Sequence, residues 1–365
     1  MAIAREETLP IPQRLSAALF LLAATALVAL RLWLAARAPR LYEFEQYWEP
    51  IARAQNEGRP LWRVTDYHFF PAWAWLLGFF EAAARKGGSF ATIERSFLAF
   101  VDVAIAGLVY RLAGRVPGAV SPRAAALLYL ANPVGIWVSS VQGQFDGLAL
   151  AFLLAALLFP SAQSRSGRSP WAGVLLGLSI AAKQVTLFHP LLWLRRRRDV
   201  STVAIAYVLP VLTLLPYAAD WRVIARSLLV YSSVPRSYGF SELVLYDSRF
   251  APFVSAACLA AALASIVWLR RVEPARSCLV LFLVLLLFAP GMGSQYLLWP
   301  IPFGALFGGA PYLIFSAASM LWILGSHFGL PGSGRWMGQL IWLSVGWWTY
   351  AEIRVLRAGR RSCPA

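Results

Sequence analysis

Apolar runs near the length that crosses a bilayer recur along the chain with short polar gaps, at about 14–36, 95–113, 123–140, 145–160, 200–219, 249–269, 278–298, 300–325 and 338–353. The pattern predicts an all-α, polytopic membrane protein of about nine to eleven membrane helices. Two stretches depart from it. "HFFPAWAWLLGFFEAAARK" at 68–86 is short, contains Pro71 and Glu81, and carries aromatics of the interfacial type, so it is expected to lie along the membrane surface instead of crossing. "PWAGVLLGLSIAAKQVTLFHPLLWLRRRR" at 170–198 has arginines at both ends but roughly half the residues that two crossings need. A re-entrant hairpin over about 170–194 satisfies both facts, with its tip near Lys183 and Gln184.

Arginine clusters orient these elements. Arg111, Arg115 and Arg123, then Arg165 and Arg168, "RRRRD" at 195–199, "RRVEPAR" at 270–276 and "RAGRR" at 357–361 are all expected on the cytoplasmic side. The external loops then fall at about 37–94, 139–146, 220–248 and 291–300. Arg37, Arg40, Arg53, Arg59 and Arg63 stand outside, against the rule. No soluble domain or sequence repeat interrupts the 365 residues, which read as one transmembrane domain.

Composition agrees and narrows the partners. With 59% hydrophobic residues and a mean hydropathy of +0.61, the chain is too apolar for a water-soluble domain. The net charge of +16 lies mostly beside apolar runs, where it sets topology and meets membrane lipids. Nucleic acid is not an expected partner. Lysine occurs only at 86 and 183, a bias that suggests a GC-rich bacterial genome and hence the bacterial inner membrane. Cys258, Cys278 and Cys363 show neither a disulfide framework nor metal spacing. The first run is too long for the core of a signal peptide and no small-residue cleavage site follows it, so it is expected to remain as an anchor.

Four places hold polar residues that bilayer energetics does not require. "LYEFEQYWEPIARAQNEGRPLWRVTDYHFFP" at 41–71 offers Glu43, Glu45, Glu49, Asp66 and His68; "QGQFD" offers Gln142, Gln144 and Asp146; Lys183 stands at the hairpin tip; "GMGSQYLLWP" at 291–300 offers Gln295 and Tyr296. Each has a plain structural reading. The glutamates fit a solvated interfacial helix, Asp146 fits a helix N-cap, and Lys183 fits a paired or snorkelling lysine. Asp102, inside its span, fits a partner for a neighbouring arginine, and His189 fits a structural role. The topology brings the external places to one outward cleft, with Lys183 approaching from below.

At these residues the chain resembles the GT-C superfamily, integral-membrane glycosyltransferases that use polyprenyl- or dolichyl-phosphate sugars. "YEFEQYWEPIA" is similar to the D-F-E-x-x-W that opens the first external loop of the dolichyl-phosphate-glucose glucosyltransferases of the endoplasmic reticulum and their bacterial relatives, and "YHFFP" to the Y-x-Y-x-P that follows. "NPVGIWVSSVQGQFDGLAL" is similar to an N-P span leading to H-x-Q-F-D/N, "GVLLGLSIAAKQ" to G-x-x-L-G-x-x-x-x-x-K, and "GSQYLLWPIPF" to a late Q-Y-L loop.

The resemblance implies an inverting transfer from a lipid-linked sugar to a glycan, lipid or protein acceptor on the external face. The acid that opens the first external loop is the expected base. That position is Glu43, one methylene longer than the usual Asp, which keeps Glu45 as the alternative. Gln142 stands where relatives often carry His and offers only hydrogen bonding. Gln142, Gln144, Asp146, His68, Lys183, Gln295 and Tyr296 are the expected donor- and substrate-binding groups, with Arg236 or Arg249 as further phosphate partners, while Trp62, Tyr67 and Trp73 fit interfacial belt residues better than surfaces for a sugar. No cofactor is required. A divalent metal bridging Glu43, Asp146 and the phosphate is conceivable, but no ligand spacing calls for one. A transporter or lipid flippase, and a non-catalytic scaffold, are the readings from other classes.

Overall fold

Of the nine apolar runs, three form uninterrupted helices long and apolar enough to span a membrane. The computed structural model describes residues 11–65, 67–159, 169–230, 238–239, 251–330 and 336–361. Among these, the spanning stretches are Ser16–Arg37 within α1 (Ile11–Arg37), Phe90–Ala113, which is α5, and Pro252–Leu269 within α12 (Ala251–Leu269). A fourth counts if the pair Val200–Leu212 and Leu215–Leu228, bent by 64°, is one span. No strand occurs among the described residues.

Proline and glycine divide several of the other runs. The run at 123–140 is α6 (Pro122–Leu130) and α7 (Pro133–Ser140). Pro133 cannot continue the backbone ladder, and Asn132 caps the second helix instead. Its Oδ1 accepts from the Val134 and Gly135 N–H groups at 3.0 and 3.4 Å, while its amide donates to Tyr312 and Ser316. Likewise Gly308 and Gly309, both at positive φ, separate α14 (Ile301–Phe307) from α15 (Ala310–His327). Between these lie α8 (Asp146–Leu157), α9 (Pro170–Ala182), α10 (Val200–Leu212), α11 (Trp221–Val230) and α13 (Pro274–Leu287). α16 (Gly338–Arg361) closes the chain's described part.

The arginine groups around Arg115, Arg195 and Arg276 gather at one end of the bundle; Arg165 and Arg168 lie outside the described residues. Arg115 donates to Leu158 O at 3.1 Å, Arg195 to Val272 O at 2.7 Å, and Val120 N to Leu306 O at 2.8 Å. Arg276 lies over the Phe307 ring at 4.1 Å and beside Glu352 at 3.6 Å. Between the two ends, Arg31 of α1 pairs with Asp102 of α5 at 2.6 Å, and both are fully buried. Tyr129 donates to the other Asp102 oxygen at 2.5 Å, and Arg31 to Leu130 O at 3.0 Å, so the intramembrane pair fastens α1, α5 and α6 together.

The opposite end is built from 38–90. α2 (Glu49–Asn56), the single turn α3 (Leu61–Val64) and α4 (Ala72–Ala84) pack there. Gly78 admits Asn56 against α4, whose carbonyl accepts from the Asn56 amide at 2.9 Å. Trp73, at the start of α4, stacks on Phe145, and Phe90, at the start of α5, meets Phe44, so α4 begins and ends at this same end of the bundle. Four of the five arginines that stand against the rule have local acidic partners. Arg40 and Arg53 pair with Glu49, Arg59 with Glu57 at 2.7 Å, and Arg63 with Asp220 at 2.7 Å.

Candidate active site

The site grows from one turn. After α7 the chain reverses through Gln142–Gly143–Gln144–Phe145 before α8 begins at Asp146. Gly143 has φ +66°, and a side chain there would run into the Phe44 ring. Glycine therefore serves twice, in a backbone conformation that suits it and in close approach to a neighbour. Phe44 follows Glu43 directly, so this contact seats the acidic segment on the "QGQFD" turn. Phe44 also sits beneath the Arg95 guanidinium at 4.5 Å, while Arg95 donates to the Ala38 and Pro39 carbonyls.

Phe145 carries the remaining connections. Trp73 stacks on it at 4.2 Å, and Phe69 and Trp48 meet it edge-on at 5.1 and 5.6 Å. Such ring pairs contribute about 0.5–1.5 kcal/mol each beyond buried area. The Lys183 ammonium faces the same rings, 4.4 Å from Phe145 and 5.2 Å from Phe69. It is held by an ion pair with Asp146, and both groups are buried. Asp146 accepts a second bond from Trp299 Nε1 at 2.8 Å. Ser294 donates to Gln142 Oε1 at 2.9 Å, which draws the late loop to the same turn.

Lys183 stands where α9 stops. Its backbone is extended, with φ −157° and ψ 131°, and short 3-10 turns at Gln184–Thr186 and His189–Trp193 carry the chain back to the arginine end. Ser179 bonds to Thr186 at 2.8 Å across the break. The tip is thus level with the loops, in direct contact with Asp146, and not beneath them. Gln184 donates to the His68 carbonyl at 2.7 Å, and the half-buried His68 ring packs on Phe69 at 4.2 Å.

Several expectations are revised. Asp146 does not cap α8: Phe145 occupies the cap position and offers no side-chain bond, and the Asp146 carboxylate is taken up by Lys183 and Trp299. Trp62, Tyr67 and Trp73 are buried in the loop core and present no face for a sugar. Burial also holds the Tyr67 phenol well above its ordinary range, and it donates to Phe70 O at 2.7 Å. Gln144 is buried within the turn, whereas Gln295, folded over Gly293, and Tyr296, packed on Trp299 at 4.4 Å, stay partly exposed beside it. Asp66, Arg236, Arg249 and Cys363 lie outside the described residues. Among the described residues, no group of three or more His, Cys, Asp or Glu is placed to hold a metal. The contributions of Phe145, Ser294 and Trp299 were written in the quoted motifs, but only the fold shows what they touch.

The carboxylates are unequal. Glu49 is engaged by two arginines, and Glu94 is buried with neither oxygen bonded among the described residues. Glu45 is largely exposed, with Arg40 at 3.9 Å. Glu43 is half-buried, forms no ion pair among the described residues, and lies in the electrostatic field of Arg95. Gly143→Ala should lower thermal stability by about 2–4 kcal/mol, from backbone strain plus the clash with Phe44. Gly58→Ala, at φ +63° but with nothing within 4 Å of the added carbon, should show only the strain, about 1–2 kcal/mol. Denaturation of the two purified variants separates these contributions.

An all-helical membrane protein whose broken helix, interfacial acidic loop and late loop meet at one end is built as an integral-membrane glycosyltransferase of the GT-C kind. Residues 67–292, well over half of the chain, match Glycosyltransferase family 87, and the chain belongs to that family. Neither a curated protein nor a solved structure matches it. Family membership favours a transferase over the transporter and scaffold readings.

Proposed function

We propose that the protein transfers a hexose or pentose from a polyprenyl-phosphate donor to an acceptor hydroxyl at the external face of the bacterial inner membrane, with inversion. The observation that carries this reading is the seating of the Glu43 segment on the Gly143 turn. It seats Phe44, next to the one loop glutamate that is half-buried and without an ion pair among the described residues, on the turn of Gln142 and Gln144, which Ser294 of the late loop also joins.

In this reading Glu43 accepts the proton of the acceptor hydroxyl. The acceptor oxygen forms its bond to the anomeric carbon as the bond to the lipid phosphate oxygen breaks, and that electron pair leaves on the polyprenyl phosphate. Attack opposite the leaving group inverts the anomeric centre. Gln295, Tyr296 and His68 line the approach as hydrogen-bonding groups for the phosphate and sugar. Lys183, its charge opposed by Asp146, holds the turn in place.

A lipid-linked donor is supported by an apolar cavity of about 510 Å³ beside this end, lined by Phe70, Gln184, Leu187, Leu214, Trp221 and Leu228. Its chemistry suits an isoprenoid chain, and Gln184 and Phe70 join it to the segment that carries His68. Purified protein in nanodiscs should produce glycosylated acceptor from polyprenyl-phosphate sugars and none from nucleotide sugars. Turnover of nucleotide sugars alone would overturn the proposed donor.

A further inference from the structure

The arginine-rich end holds a cleft that sugar transfer does not use. It measures about 1090 Å³ and lies between the chain at Leu194 and the end of α12. Arg195 and Arg196 line one side, and Trp268, Arg270 and Arg271 the other. Asp199 and Glu273 offset part of the charge on Arg195, and Arg196 and Arg271 are exposed, so the cleft stays positive and favours an anion.

The nearest carboxylates, which face Arg195, also bond to the backbone. Asp199 Oδ2 accepts from the Arg195 and Arg196 N–H groups at 3.1 and 2.8 Å. Glu273 accepts from the Ala275 and Arg276 N–H groups at 2.9 and 2.7 Å, at the start of α13. Arg195 is aimed by its bond to Val272 O. The Nε–H groups of Arg195 and Arg270 are nevertheless buried and donate to no acceptor among the described residues. These donors are closed off from the cleft, so a phosphate would meet the terminal nitrogens of the arginines, where its oxygens provide both acceptor and counter-charge.

The geometry points to a binding site for the phosphate of an anionic phospholipid, with the headgroup among Arg195, Arg196, Arg270 and Arg271 and the upper acyl chain along Leu194 and Trp268. Arginine's planar fork suits a phosphodiester, and tryptophan belongs at headgroup depth. Inorganic phosphate offers the same charge but nothing for the apolar wall.

The full chain in detergent, supplied with phosphatidylglycerol or phosphatidylcholine, tests this by counting retained lipid in native mass spectrometry. Phosphatidylglycerol should be retained and phosphatidylcholine lost. Arg270→Ala with Arg271→Ala should weaken retention about 30-fold, from roughly fivefold per arginine near an anionic surface. Arg270→Lys with Arg271→Lys keeps the charge, should retain most of the lipid, and shows that the region folds. Equal retention of the two lipids by the unaltered protein overturns the site without any variant. So does an alanine variant that holds phosphatidylglycerol as the unaltered protein does. Displacement of phosphatidylglycerol by an equal concentration of inorganic phosphate would assign the anion to free phosphate and overturn the lipid.

Discussion

Glu43→Gln should lower the turnover number by about 10²- to 10⁴-fold, the range a positioned general base contributes, with the protein present at its normal level. The change keeps shape and hydrogen-bonding capacity but removes proton affinity, and the Phe44 ring that seats the segment is untouched. Glu45→Gln should stay within a few-fold of normal, because its carboxylate is largely exposed and its one ion-pair partner among the described residues is Arg40, at 3.9 Å. Rescue of a deletion strain by each form, with envelope glycans read by mass spectrometry, distinguishes the two. Loss of one sugar unit with Glu43→Gln names the product as well as the base. Loss with Glu45→Gln instead would move the base two residues along, and a normal profile with both variants would remove a loop carboxylate from the chemistry.

The second large effect falls on Lys183. Lys183→Ala leaves the Asp146 carboxylate buried beside Phe145 with only Trp299 to answer it, and breaking a buried ion pair from one side costs about 3–5 kcal/mol. The α8–α9 contact should loosen, and activity should fall with the folded fraction. Lys183→Met combined with Asp146→Asn removes both charges while leaving an oxygen for the Trp299 indole. Most of the lost stability should return, since a neutral pair of similar volume often replaces a buried salt bridge without penalty. Thermal unfolding of the single and double variants measures the coupling directly. Transfer by the double variant then reports whether Lys183 acts only by holding the turn; a fully stable but inactive protein would give the ammonium a role at the phosphate.

Much of the fold was legible because burial in lipid demands long apolar runs, and α1, α5 and α12 fall where the runs fall. Breaks were less visible. Asn132–Pro133 and Gly308–Gly309 lie inside runs whose hydropathy does not dip, so only the missing N–H of proline and the positive φ of glycine mark them. The places that meet at the site were legible as polar residues lacking a membrane reason. How they meet was not. Phe44 against Gly143, the rings around Phe145 and the Trp299 bond to Asp146 are non-polar or long-range contacts, separated by up to 153 residues, and no local pattern encodes them. The depth assigned to Lys183 from its arginine flanks missed that α8 and α9 bring Asp146 and Lys183 to the same level.

The brevity of those two helices reaches beyond the site. Twelve and thirteen residues rise about 18 and 20 Å, against a hydrocarbon thickness of about 30 Å. If the arginine end is anchored at one headgroup layer, the Asp146–Lys183 pair sits some 10 Å short of the other. The bilayer around this part of the protein must then thin, or water must enter, for a lipid-borne phosphate to reach the loops. Acyl-chain length in a reconstituted membrane thereby becomes a control on the enzyme, with shorter lipids lessening the mismatch that each turnover has to overcome.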